Sequence, residues 1–378
     1  MKVVVAIDSF KGSLSSLQAG NAVKDAVVKV DGSAEVVVRC LADGGEGTVQ
    51  AFAECLNSQI VTLTVNGPLC SPVEAQYCIL KDTNTAVIEM ASAAGLTLIP
   101  EGKRDPLETT TYGVGELIKD AVFRGCRRFI IGLGGSATND GGAGMLTALD
   151  FELSVQNHNP IPLGAKGLEK LHAIHTDKVM PELKECCFLI ACDVTNPLCG
   201  ANGCSAVFGP QKGATPEMIA HMDAWLENYA RISKTVSCKA DENLTGAGAA
   251  GGLGFAFSAF TNTQLKSGIQ IILDEIKLEE DIKTADIVVT GEGRLDSQTV
   301  LGKAPIGVAK LGKKYGKKVI AFSGCAAKDA QLCNAHGIDA YFPILRRVTT
   351  LEEALDVENA YENLADTAYQ VFRLLTLQ

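Results

Sequence analysis

The sequence predicts an α/β protein of two domains, one of them a doubly wound parallel sheet assembled from both ends of the chain. Three observations carry this expectation. The continuous apolar runs KVVVAI (2–7) and AEVVVRCL (34–41) alternate with helical patterns near the N-terminus, and unbroken apolar strands belong to sheets covered on both faces. The same alternation returns only at the far end, in ADIVVTG (285–291), KKVIAFSG (317–324) and DAYFPIL (339–345). Between them lie alternating segments such as VEAQYCIL and TAVIEMA, turn signals at Gly67-Pro68 and Ser71-Pro72, and long Gly-rich loops. The expected division is therefore residues 1–64 plus 284–378 as the doubly wound domain, with 65–283 as an inserted second α/β domain. No Pro-rich or Gly/Ser linker separates the two, and an active site is expected in the cleft between them, since pockets favour domain junctions.

In order along the chain, the run 2–7 is followed by a helix whose apolar positions Leu17, Val23, Ala26, Val27 and Val30 share one face, with Ser15 and Gln18 spaced as a capping box. The run 34–41 leads into a second helix, TVQAFAECL. In the middle, RRFIIG and CCFLIACD are strands that each end on a polar loop. The far end reads as strand, helix through 306–314, strand, a helix around Gln331, strand, and a long terminal helix.

A chain of 378 residues with 47% hydrophobic content has the length for two or three domains and a sizeable core. Its net charge of −10 excludes a general nucleic-acid or anionic-membrane surface, which needs a basic footprint. The thirteen Cys show no CxxC and no Cys/His zinc spacing, and they read as reduced core thiols of a cytoplasmic protein. The N-terminal apolar run is too short for a signal sequence, and the uncharged stretch 243–265 holds too many Gly and polar residues for a membrane helix. The assembly state, a homo-oligomer included, is left open.

The 38 glycines are concentrated. Six segments, DSFKGS (8–13), DGGEGT (43–48), GLGGSATNDGGAG (132–144), DVTNPLCGANGCSAVFGPQKG (193–213), TGAGAAGGLG (245–254) and TGEGRLDSQTVLGK (290–303), hold 22 of them in 70 residues. Several begin where a strand ends, which is where open α/β sheets take ligands. The loop after RRFIIG carries more Gly than one tight turn needs, and its successive amides are suited to an anion nest. It also matches the dinucleotide fingerprint through Gly132, Gly134 and Ala137, as TGAGAAGG does through Gly246, Gly248 and Gly251, but neither has both the preceding strand and the following helix the fingerprint requires. A GxxxxGK[ST] loop is absent, because Gly302-Lys303 is followed by Ala304.

Carboxylates and cations share these loops, and none of the five His does. That argues against Ser/His or Cys/His hydrolysis and against imidazole-held metal. Carboxylates, Lys/Arg and Gly amides are the components of phosphoryl transfer, in which Mg²⁺ is held by one or two carboxylates together with substrate phosphates.

On those six motifs, taken in order over the whole chain, the sequence resembles the bacterial type I glycerate kinases. The resemblance implies ATP-dependent phosphorylation of D-glycerate with Mg²⁺, the 2-phosphate product being favoured although the family's reaction is often written with the 3-phosphate. It also implies a flavodoxin-like domain beside an inserted domain, small-molecule substrates, and neither a nucleic-acid nor a membrane partner. Site roles expected on this basis are as follows. Asp193 is the general base, Lys11 neutralises the transferring phosphoryl group, and Arg294 pairs with the substrate carboxylate. Gly134, Gly135, Ser136, Thr138 and Asp140 cradle phosphate. Asp8, Ser9, Gln211, Lys212, Asp296 and Lys303 line the substrate site, and Asp43 and Glu292 are the Mg²⁺ ligands.

Two other classes stay open at this point: a nicotinamide-dependent hydroxy-acid oxidoreductase using the fingerprint-like loop, and a non-catalytic nucleotide or metabolite sensor. The first wants a catalytic His or Lys/Tyr pair beside its dinucleotide. The second has no need of so many loop carboxylates.

Overall fold

Lys2–Val5 pairs in parallel register with Glu35–Val38 on one side and with Ile287–Leu295 on the other. Lys318–Ala326 and Ala340–Pro343 extend the sheet outward from Ile287–Leu295, also in parallel. Numbered within this sheet by their order along the chain, the five strands run 2-1-3-4-5, the flavodoxin-like order of a doubly wound sheet. The chain is described here by a computed structural model that covers residues 1–100 and 102–377.

Helices cover both faces of this sheet because its strands are apolar on both. On one face, Ala19, Ala22, Val23, Ala26 and Val27 of helix Ser16–Val30 pack with Leu364, Ala368 and Phe372 of the terminal helix Val357–Thr376. The capping box is present: Ser15 Oγ accepts from the Gln18 amide, and the Ser15 amide donates to Gln18 Oε1 at 2.8 Å. On the other face lies helix Ala304–Lys314, which approaches closely at Gly312, where a Cβ would stand 2.6 Å from Val319 Cγ2.

A second sheet of six strands is mixed. Ser58–Asn66, Pro72–Leu80 and Thr85–Glu89 form an antiparallel meander, and Arg128–Gly132, Cys187–Ala191 and Thr263–Lys266 continue it in parallel. Its core gathers the buried faces of helices Tyr112–Phe123, Pro216–Val236 and Ala249–Phe260. A separate two-stranded piece, Glu152–Ser154 with Ala173–His175, closes one margin of that core.

By internal contacts the chain divides into Met1–Asp43, Gln50–Leu56 and Ile269–Gln378 as one unit, and Gly44–Val49 with Asn57–Gly268 as the other. The boundaries differ from those expected at 64 and 283. Residues 58–64 go to the second unit because Ser58–Asn66 is bonded along its whole length to Pro72–Leu80. Helices Gly268–Glu275 and Leu278–Thr284 go largely to the first, where Asp281 accepts from Arg39 Nε at 2.7 Å and Ile269 packs at Gly307.

The thiol expectation also needs correction. Cys40 and Cys55 are joined as a disulfide, their Cα atoms 6.0 Å apart, because the end of the second strand segment and the end of helix Thr48–Cys55 meet there. Cys70, Cys238 and Cys325 are exposed, whereas Cys78, Cys126, Cys186, Cys204 and Cys333 are buried thiols. No helix among the described residues is long and apolar enough to cross a membrane. The stretch 243–265 contains a helix kinked by left-handed backbone at Ala250, Gly251 and Gly252.

Candidate active site

In the first unit the sheet order reverses between Lys2–Val5 and Ile287–Leu295, and in open α/β sheets such a reversal leaves a crevice at the carboxyl ends of the strands. The loop DSFKGS leaves the first of these strands and is tied back to the second, the Asp8 amide donating to the Gly291 carbonyl at 2.9 Å. Ile287–Leu295 runs further than its apolar stretch, so Glu292 and Arg294 stand on a strand, not in the loop the sequence suggested. Close passage of these backbones depends on glycine: a Cβ on Gly291 would lie 2.0 Å from the Phe322 carbonyl oxygen, and one on Gly324 would lie 2.5 Å from that of Gly293.

A cavity of about 400 Å³ opens at this reversal. Asp8, Ser9, Lys11, Asp43, Glu292, Arg294 and Lys303 line it, together with Phe10, Ile344, Leu345, Leu351 and Leu355. Its charges are unevenly housed. Asp8 is buried, and burial first, then the charge of Asp43, raises its carboxyl to about 7, with Lys11 and the Ser9 amide opposing and Glu292 adding to the rise. Glu292 is buried too, which pushes its carboxyl above the usual range against the hydrogen bond from Thr299 Oγ1 at 2.6 Å and the nearby Lys303. Lys303 Nζ stands 3.9 Å from Glu292 Oε2, and Arg294, with 66% of its side chain exposed, reaches Asp296 Oδ2 at 3.3 Å. Asp296 is otherwise engaged locally, accepting from the Gln298 amide.

Clustered carboxylates with raised proton affinity are what a divalent cation would relieve. Among the described residues no three His, Cys, Asp or Glu side chains form a ready ligand set. The pair Asp43 and Glu292 therefore fits Mg²⁺ only in the manner in which that ion is held by one or two carboxylates, with phosphate and water completing its shell.

The second unit gathers its own group of loops at the carboxyl ends of Arg128–Gly132 and Cys187–Ala191. Gly44 sits against Ala191 and Gly268, and a Cβ on Gly132 would meet the Gly44 carbonyl oxygen at 2.2 Å. Asp193, two residues beyond its strand, is exposed and accepts from the Gly268 amide at 3.1 Å. Gly134 and Gly135 are exposed and Ser136 is half-buried, so this part of the loop presents its backbone outward.

Three residues expected at the substrate surface are instead interior. Asp140 is fully buried, accepting from the Thr111 amide and hydroxyl and from the amides of Gly142 and Gly144. Burial raises its carboxyl despite these donors. Thr138 is buried beside it. Lys212, 2% exposed, donates to the Thr138 carbonyl at 2.6 Å and to Ser136 Oγ at 3.0 Å, and burial pulls its ammonium down to about 8. These side chains bond to the loop from inside. Gln211 is exposed, its carbonyl accepting from Arg104.

The run Thr109-Thr110-Thr111, wholly buried around Asp140, escaped the sequence reading. So did Glu89, which accepts from the Val49 amide at 2.8 Å and holds the start of helix Thr48–Cys55. Three consecutive Thr, and a Glu closing an otherwise apolar strand, were the available signals. The fingerprint-like loop leads only into the six-residue helix Ala143–Ala148.

Comparison with known proteins gives a consistent picture. The model of the family described as "Glycerate kinase family" matches residues 3–376. A glycerate kinase of Haemophilus influenzae is 45% identical over 378 residues, covering 100% of both chains. The glycerate 2-kinase of Escherichia coli K12 is 45% identical, covering 100% of this chain and 98% of its own. A crystal structure from Salmonella typhimurium LT2, provisionally assigned as glycerate kinase 2, superposes with a TM-score of 0.91 at 46% identity, covering 99% of this chain and 98% of the other.

Proposed function

The chain belongs to the glycerate kinase family and phosphorylates glycerate, and from that premise we propose that it transfers the γ-phosphoryl group of ATP to the 2-hydroxyl of D-glycerate with the help of Mg²⁺ in the cytoplasm. The observation that carries this reading is the convergence of Asp8, Lys11, Asp43, Glu292, Arg294 and Lys303 on one cavity at the sheet reversal. The name of the Escherichia coli relative supports the 2-hydroxyl. Eleven of the thirteen cysteines are free thiols, which supports a reducing compartment, the Cys40–Cys55 disulfide being the exception.

In the proposed reaction the glycerate hydroxyl oxygen attacks the γ-phosphorus as the bond to the ADP oxygen breaks, and the hydroxyl proton passes to the Asp193 carboxylate. Asp193 is exposed two residues beyond the strand Cys187–Ala191, where the Gly268 amide bonds its Oδ1. Lys11 offsets charge on the transferring group, and the guanidinium of Arg294, mostly exposed, takes the glycerate carboxylate in a two-point contact. The exposed Gly134 and Gly135 would offer backbone amides to phosphate, while Asp140, Thr138 and Lys212 bond to that loop from inside. Mg²⁺ would be held by Asp43 and Glu292, where it supplies positive charge against the phosphate oxygens.

The test is product analysis. Purified protein, MgATP and D-glycerate should release ADP only when glycerate is present. The phosphorus resonance of the product should be a doublet, coupled to the single proton on C2; a triplet would place the phosphate on C3 and overturn the regiochemistry.

A further inference from the structure

The charged wall of the first unit's cavity accounts for only part of it. Much of the rest of its lining is apolar, with Phe10, Ile344, Leu345, Leu351, Ala354 and Leu355 forming an apolar wall. The short helix Leu351–Leu355 places Leu355 within 4 Å of where a Cβ on Gly12 would lie, so the apolar wall adjoins the loop that bears Lys11. Leu351 is 75% exposed, and Leu345 and Leu355 are also exposed. Open aliphatic side chains beside a charged cavity mark a surface meant to be covered.

Glycerate does not suit that surface. It is a three-carbon acid with an oxygen on every carbon, and it would leave the leucines in water. A volume of about 400 Å³ falls in the range of roughly 300–1,000 Å³ that encloses drug-sized ligands, several times what glycerate needs. A nucleotide matches both halves: a flat heterocycle for the apolar wall, and phosphates for Lys11 and for a cation that Asp43 and Glu292 would hold.

We propose that the side chains of Ile344, Leu345, Leu351, Ala354 and Leu355, with Phe10, form the nucleoside seat of this kinase, and that the donor's phosphates extend from it toward Lys11. This rests on the kinase reading and assigns the donor to the first unit. The large side chains of the wall are Phe, Ile and Leu, so the base is held there by contact rather than by side-chain hydrogen bonds. Guanine and adenine nucleotides should therefore be accepted within about tenfold of each other, since sites without polar readout separate similar ligands weakly.

The experiment is isothermal titration calorimetry on the full chain with ADP and with tripolyphosphate, alongside steady-state kinetics, for the wild type and the double variant Leu351→Ser/Leu355→Ser. Val348→Ser, in the same segment but outside the cavity lining, serves as the control. The expected result is a rise of at least tenfold in the ADP Kd and the ATP KM of the double variant. Its tripolyphosphate Kd, D-glycerate KM and melting temperature should stay near wild type, and the control should match wild type throughout. Unchanged ADP affinity, or a rise in glycerate KM instead, overturns the seat. If the wild type binds ADP through these leucines yet phosphorylates no glycerate with ATP, the kinase reading of this site fails while the seat stands.

Discussion

The ammonium of Lys212 lies 2.6 Å from the carbonyl oxygen of Thr138, a bond between two buried residues 74 positions apart that fixes the inner side of the Gly-rich loop. Ser136 Oγ takes a second proton of the same ammonium. The loop's exposed part, Gly134 and Gly135, is thereby held from within by a buried charge.

Lys212→Met removes both bonds and leaves the Thr138 carbonyl without its partner, which costs about 1–3 kcal/mol. Urea unfolding should show this loss. The folded-state value near 8 lies below the ordinary 10.5, so between those values the unfolded chain binds more protons and wild-type stability rises with pH. The gap to the Met variant should accordingly widen from pH 8 to pH 10. A constant gap would mean that the ammonium is not desolvated as described.

Asp193→Asn keeps the hydrogen bond from Gly268 but cannot accept a proton. The expected outcome is a fall in kcat of at least a hundredfold with little change in KM for either substrate, measured by coupled ADP release. A near-normal kcat removes Asp193 from the role of base.

Asp8 carries the opposite linkage from a salt-bridged carboxylate. Its folded value of about 7 exceeds the unfolded 3.8, so the stability associated with its protonated form is complete below about pH 4 and is lost as pH rises through 7. Asp8→Asn should be more stable than wild type at pH 8 by roughly 2–4 kcal/mol and show no such advantage at pH 4, in urea titrations with EDTA present. Adding Mg²⁺ at pH 8 should stabilise the wild type more than an Asp43→Asn/Glu292→Gln variant.

Gly251→Ala tests the backbone contact under the same loop. The added Cβ would stand 2.0 Å from the Thr138 carbonyl oxygen, at a φ of +66°. A loss of about 2–4 kcal/mol is expected, as overpacking adds to left-handed strain. Gly302→Ala, where φ is +110° but nothing lies within 4 Å, should cost clearly less.

Much of the fold was legible in the residues. The runs 2–7, 34–41, 285–291 and 317–324 are strands of one parallel sheet, because an apolar run between helical patterns has few other ways to bury itself. Ser15 and Gln18 started their helix as spaced. The Gly-rich loops after Asp8, Gly132 and Thr290 lie where strands end, or on a strand's last turn toward the cavity. What the chain's order could not show was which loop residues turn inward. Asp140 and Lys212 sit in motifs as polar as those holding Arg294 and Lys11, yet they are interior.

Local patterns of two or four residues encode strand and helix, and glycine content marks where the chain must turn, so the amino-acid sequence by itself determined the α/β class, the doubly wound sheet and the loops that carry the chemistry. Only the tertiary structure decided that Asp8, Asp43 and Glu292 share one cavity with an apolar wall from residues 344–355, and that Lys212 serves the loop from within. Those relations join positions tens to hundreds of residues apart, and they are set by where the chain path brings groups out of water.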